Sequence, residues 1–237
     1  MPRDSMPTPE EFNQFRVTNP GQSEVIRQRL YDYLLYPTAG QTQLSFFQTA
    51  IGQGVTTAAG GTVGQPKTYW DTNMQLAGQL PSGTSYMVES LEILFLPGSV
   101  NTANTYTPAN LSLAAAANAA TVAGPINDVN TILQSGLVEF NVLQKNYLRE
   151  TPLLAFPPKA MLDLSAALAS TSATQSEVAA VLAKAAGRPY YVEPEIVLQP
   201  AMNFEVIVKW PAAVATPSGF NARIGAIFDG YLMRASQ

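Results

Sequence analysis

Neither cysteine nor histidine occurs in this chain, and charged side chains make up only 13% of its 237 residues. The first absence removes disulfides, thiolate nucleophiles, imidazole general bases and the commonest nitrogen and sulfur ligands of transition metals. Paired carboxylates and Ser/Lys combinations are the catalytic sets that remain. The second absence concerns the surface, because soluble domains usually carry about 25% charged residues. Thr, Ser, Asn, Gln and Ala fill the segments between the apolar runs instead. Depletion of Lys, Glu and Asp is the compositional mark of protein interface cores. The composition therefore points to a subunit whose surface is largely taken up by neighbours.

A basic arm is missing too. The net charge is −4 and the sequence pI about 4.8, so no field draws in nucleic acid or an anionic membrane. In the first 36 residues Arg3, Arg16, Arg27 and Arg29 are outnumbered by Asp4, Glu10, Glu11, Glu24 and Asp32. No run has the length of a membrane span; Leu111 to Ala123 comes nearest and is too short and too polar. Met1 to Asn13 carries acids and prolines without the apolar segment of a secretory leader, so a Sec-type signal peptide is not expected.

What is present reads mostly as β structure. Phe204, Val206, Val208 and Trp210 alternate with Glu205 and Lys209 between them, the pattern of a strand with one buried face. Ile224 to Met233 reads as a second strand, so the chain is expected to end in a paired β unit. Upstream strands are expected at Gln43–Phe47, at Tyr86–Leu96 with apolar residues on both faces near its end, and at Tyr190–Leu198. Leu137–Leu143 alternates and turns through Gln144-Lys145-Asn146 into Tyr147-Leu148-Arg149, a hairpin. Val25 to Tyr36 mixes polar and apolar residues and fits neither helix nor strand.

Helices are expected at two places. Thr8-Pro9-Glu10-Glu11 is a capping box with proline at the first helical position, opening a short helix through Phe15. In the second place, Met161, Leu164 and Leu168 share a helical face. Thr174-Gln175-Ser176-Glu177 then opens a helix with Val178, Val181, Leu182 and Ala185 inward. Residues 1–22 thus form an arm, and 23–237 a single domain with a helical insertion at about 159–187. Asn101 to Pro125 is small and neutral, with a helical turn in the alanines. About eight strands with long, uneven connections suit an all-β, single jelly-roll sandwich better than an even barrel or a repeat-built propeller.

Few residues suggest chemistry. Glu193 with Glu195, and Glu89 with Glu92, are the carboxylate pairs that a glycosidase would need, with Tyr190 and Tyr191 as the aromatics nearby. Carboxylates two apart on a strand otherwise mark its solvated side. Gly52, Gly54, Gly60, Gly61 and Gly64 lack the Gly-Lys-Ser/Thr of a phosphate cradle and read as a loop. Asn110-Leu111-Ser112 matches a glycosylation sequon. Asp229-Gly230 inside a strand pattern suggests a bulge. Trp70 and Trp210 read as core or interface anchors, and Tyr69, Trp70 and Met74 as ties holding the Thr68–Gly83 connection to the body. Catalytic, cofactor-binding and metal-binding residues are all expected to be none.

The C-terminal portion resembles a known family. Gly187-Arg188-Pro189-Tyr190 through Glu195-Ile196-Val197-Leu198-Gln199-Pro200, Asn203-Phe204 to Trp210-Pro211, and Asn221-Ala222-Arg223-Ile224-Gly225 to Asp229-Gly230-Tyr231-Leu232 look like the closing strands of jelly-roll major capsid proteins of tailless bacterial viruses. Many of those coats use a double jelly roll, for which this chain is short. The resemblance implies a shell-forming subunit without an active site, made in the host cytoplasm and located in the virion. Its partners would be further copies of itself in capsomers, other virion proteins and an internal membrane beneath an icosahedral shell. Direct nucleic-acid binding is not expected. The alternatives from other classes are a virion spike or carbohydrate-binding jelly roll, with Tyr and Trp on exposed loops as the site, and a carboxylate glycosidase.

Overall fold

The structure is a computed structural model and describes residues 23–55, 65–97, 99–102, 105–108, 119–158, 161–172, 175–185, 187–219 and 221–235. Eight strands build its body: β1 (Ser23–Tyr36), β2 (Gln43–Phe46), β5 (Thr84–Leu96), β8 (Leu137–Val142), β9 (Lys145–Pro152), β12 (Tyr190–Leu198), β13 (Phe204–Lys209) and β14 (Ala222–Ala235). The remaining strands form three small two-stranded pieces: β3 (Gly54–Val55) with β4 (Gln65–Pro66), β6 (Ser99–Thr102) with β7 (Thr105–Pro108), and β10 (Met161–Ser172) with β11 (Gln175–Ala185). One helix, α1 (Ala119–Ser135), and a 3₁₀ turn at Leu153–Ala155 complete the described elements.

Two antiparallel four-stranded sheets result, ordered β1-β14-β5-β12 and β2-β13-β8-β9. Within the eight, the first pairs with the last, the second with the seventh, the third with the sixth and the fourth with the fifth. Further ladders, β14 with β5 and β13 with β8, join these pairs into sheets. The sheets meet over one aromatic core, in which Phe47, Phe140 and Phe204 surround Phe228. Tyr36 lies edge-on to Phe95 and Trp210, with ring centroids 5.7 and 5.2 Å away. The Trp210 indole donates to the Ile132 carbonyl at 3.1 Å, so α1 is fastened to the core by a bond that satisfies a buried N–H.

The strands expected at Gln43–Phe47, Tyr86–Leu96, Leu137–Leu143, Tyr190–Leu198, Phe204–Trp210 and Ile224–Met233 are present, as is the hairpin expected over 137–149, whose second strand runs on to Pro152. Four readings change. β13 and β14 do not pair; they lie in opposite sheets and meet face to face through Phe204 and Phe228, whose ring centroids are 6.2 Å apart. Val25–Tyr36 is strand throughout. The helical insertion at 159–187 is replaced by the β10–β11 hairpin, in register from Met161↔Ala185 to Ser172↔Gln175. Its sequence also satisfies a period of two, through Leu162, Leu164, Ala166 and Leu168 and then Val178, Ala180 and Leu182, so the helical spacing was not unique. Helix instead occupies Ala119–Ser135. The expected N-terminal helix, in the arm 1–22, lies outside the described residues.

Candidate functional surface

The side of the β1-β14-β5-β12 sheet turned away from the core carries an ionic lattice. Register places Arg27 opposite Tyr231, Arg29 opposite Asp229, and Ile227 opposite Glu92. Arg27 bridges the carboxylates of Glu89 at 3.1 Å and Asp229 at 3.2 Å, and its guanidinium lies 5.5 Å from the Tyr231 ring centroid. Arg29 reaches Glu92 at 3.9 Å. Further along, Arg223 contacts Asp71 at 3.5 Å and sits 4.0 Å over the Tyr33 ring. The carboxylates are sealed while Arg27 and Arg29 stay half-exposed, so the strongly hydrated acids are compensated by long cations that keep one side in water. Burial pushes the Tyr33 hydroxyl above its ordinary value, partly opposed by the Arg223 charge.

Next to the lattice, residues 67–74 fold against the edge of β1. Tyr33 N–H donates to the Asp71 carbonyl at 2.6 Å, and Asn73 N–H to the Tyr31 carbonyl at 3.3 Å. Asp32 and Thr72 form an antiparallel bridge. The Asn73 carboxamide extends the ladder like another peptide, accepting from Tyr31 N–H at 3.0 Å and donating to the Arg29 carbonyl at 2.7 Å. Within the turn, Asp71 accepts from the Thr68 amide and hydroxyl at 2.9 and 3.1 Å, and the Tyr31 hydroxyl donates to the Tyr69 carbonyl at 2.5 Å. The result is a pinned turn with two large aromatics pointing outward: Tyr69 is 74% exposed and Trp70 73%.

Beneath that turn Lys67 and Asp32 are fully buried, with Nζ 2.5 Å from Oδ1. The other carboxylate oxygen accepts from Phe47 N–H at 2.7 Å. Burial pushes the Asp32 carboxyl above its usual range, outweighing the Lys67 charge and the hydrogen bonds that pull it down. Reading the sequence did not single out this pair. Its signal is an aspartate inside an otherwise apolar and aromatic stretch, Leu30 to Tyr36.

The four glutamates weighed as chemical candidates lie on the paired strands β5 and β12. Glu89 and Glu92 reach different arginines, Arg27 and Arg29. Glu193 and Glu195 lie on the edge strand β12, beside the register shift between Tyr191 and Ile196. The bulge expected at Asp229-Gly230 falls on the partner strand instead: Asp229 pairs with Ser90 and Gly230 with Val88, which leaves Glu89 of β5 as the extra residue, while β14 runs without a shift against β1. Trp210 and Met74 are buried anchors, whereas Tyr69 and Trp70 do not tie their segment down; its backbone and Asp71 do. In the glycine-rich loop, Gly52 N–H donates to the Lys67 carbonyl. Gly60, Gly61, Gly64 and the Asn110-Leu111-Ser112 sequon lie outside the described residues. Among the described residues no helix is long and apolar enough to cross a membrane. No protein-family model, curated protein or solved structure matches the chain.

Proposed function

We propose that the chain is the major capsid subunit of a bacterial virus, a single jelly roll that self-assembles into an icosahedral shell. The observation that carries this reading is the pairing of first strand with eighth, second with seventh, third with sixth and fourth with fifth. That pattern is what results when one long antiparallel hairpin rolls up into two facing sheets, the eight-stranded form used by viral coats and by lectins. Fold alone does not choose between those uses. Scarcity of charge favours the coat, because a surface short of Lys, Glu and Asp suits burial against neighbours. In this reading the subunit has no catalytic step and no cofactor, binds copies of itself and other virion proteins, and leaves the genome to another layer, such as a basic minor protein or an internal membrane.

The test is the size of the purified chain, measured by light scattering and negative-stain microscopy. Closed particles or capsomer rings are expected, and a persistent monomer overturns the reading. Since neutral contacts would hold the assembly, it should survive 1 M NaCl, where the Debye length falls to about 3 Å. The second reading, a virion spike or carbohydrate-binding jelly roll, is favoured by the outward Tyr69 and Trp70 on their pinned turn. Glycan binding by a discrete trimer, abolished by Trp70→Ala, would select it.

A further inference from the structure

Lys67 and Asp32 are held in direct contact in the interior. Their side chains are 1% and 0% exposed. A lysine ammonium brings three N–H donors, yet among the described residues Oδ1 of Asp32 is the one acceptor of Nζ. Burying a charged group with few acceptors is costly. A neutral amine facing a neutral carboxylic acid still has two N–H donors but carries no charge into the interior, and one proton moving along the existing contact from Nζ to Oδ1 produces it. The upward push of burial on the Asp32 carboxyl acts in the same direction.

We propose that Lys67 and Asp32 condense into an intramolecular isopeptide bond. After the proton shift, the Nζ lone pair attacks Cγ of the protonated carboxyl. Negative charge then develops on Oδ2, where the Phe47 amide already donates at 2.7 Å and serves as an oxyanion donor. One proton passes from the tetrahedral nitrogen to the Oδ1 hydroxyl, the Cγ–Oδ1 bond breaks, and water leaves. The products are one amide and one water, with no oxidant, reductant or activating group consumed. Fold-enforced contact supplies the high effective concentration, and exclusion of water from the site opposes the reverse hydrolysis. The bond would join β1 to the segment bearing Tyr69 and Trp70 across a separation of 35 residues, giving a chain without cysteine a covalent cross-link. This inference does not depend on the capsid reading.

The experiment is intact-mass spectrometry of the full-length protein under denaturing conditions, followed by peptide mapping. The expected mass is lower than that of the sequence by one water, with a branched peptide joining positions 32 and 67. Lys67→Arg, which keeps the cation but is a poor nucleophile, should show the unreduced mass of its own sequence. A wild-type mass equal to that of the sequence overturns the proposal. So does a one-water loss that maps to Asp229-Gly230, where cyclisation to a succinimide gives the same mass change. Because the deciding readout is made on the wild-type chain, poor folding of the variant leaves the outcome intact.

Discussion

Phe47 and Phe228 stack face to face across the sandwich, ring centroids 5.0 Å apart and planes only 4° from parallel. Phe47 follows β2 in one sheet and Phe228 belongs to β14 in the other, so their stack spans the gap that the fold must close. Phe140 and Phe204 pack on the same Phe228 ring. Phe228→Ala should therefore cost about 3–5 kcal/mol, the range of large aromatic truncations in well-packed cores. Denaturant unfolding should show the midpoint falling with little change in slope.

The two faces of β13 give a paired test. Val206 is fully buried, in register with Phe46 on one side and Phe140 on the other. Val206→Asp strands a carboxylate in the core and should cost several kcal/mol. Lys209, on the opposite face, is 38% exposed and bonds Glu139 at 2.8 Å. Lys209→Gln should cost about 1 kcal/mol or less. Equal thermal stability of the two variants would refute this assignment of faces.

Opposite the β5 bulge, a Cβ on Gly230 would lie 1.9 Å from the Met87 carbonyl oxygen, a backbone atom of the neighbouring strand. Gly230→Ala must break or shift the ladder and should destabilise by more than about 2 kcal/mol. Gly219 gives the contrast: its φ is +75° but nothing lies within 4 Å of an added Cβ. Gly219→Ala should cost only about 1 kcal/mol from the left-handed conformation. Calorimetry of the two variants separates steric overlap from backbone strain.

Two of the ten tyrosines should resist ionisation. Burial raises Tyr36 to about 12, and it raises Tyr86 further still. Their hydroxyls donate to the carbonyls of Val214 and Gln28, both at 2.6 Å. A group whose value is raised on folding holds its proton more tightly in the native state. Its contribution to stability is complete below about pH 10 and disappears as pH climbs through the raised value. Alkaline titration followed by phenolate absorbance should release these two last, together with loss of native circular dichroism. Early, reversible titration of all ten in folded protein would contradict the burial argument.

Nucleic acid should not bind. With −4 overall and no clustered basic residues in the N-terminal 36, phosphate neutralisation has little to work with. Mobility-shift assays with single- and double-stranded DNA and RNA at about 50 mM salt, conditions that favour phosphate contacts, should show no complex at micromolar protein. Binding that weakens with added salt would reverse this expectation.

Legibility followed the solvent exposure of each strand. β13 and β8 present one face to the core and alternate cleanly, so their residues announced them. β1 did not, because Arg27 and Arg29 lie over sealed carboxylates on one side while Asp32 reaches Lys67 on the other, which scrambles its period. The partners of β14 escape the sequence for a topological reason: adjacency favours hairpins, whereas the chain crosses from one sheet to the other between β13 and β14. In α1, Pro125 hid a helix whose Val129, Ile132 and Leu133 keep helical spacing. Alanine-rich β10 and β11 carry both periods at once, and only pairing decides between them. At the candidate surface, the outward Trp70 depends on the hydrogen bonds of Asp71 and Asn73, and no linear motif encodes those.

The ladder that Asp71 and Asn73 lay along β1 also bears on how copies of the chain would meet in the proposed shell. An open strand edge is a template on which another strand can add without limit, as in fibrils. From Arg29 to Tyr33 that template is already occupied by the chain itself, down to a side-chain amide standing in for a peptide. Over that stretch, addition of a strand from a second molecule is blocked. In the proposed shell, contact there would be made by side chains at fixed angles, the kind of joint that can bend a layer of subunits into a closed surface rather than extend it as a ribbon.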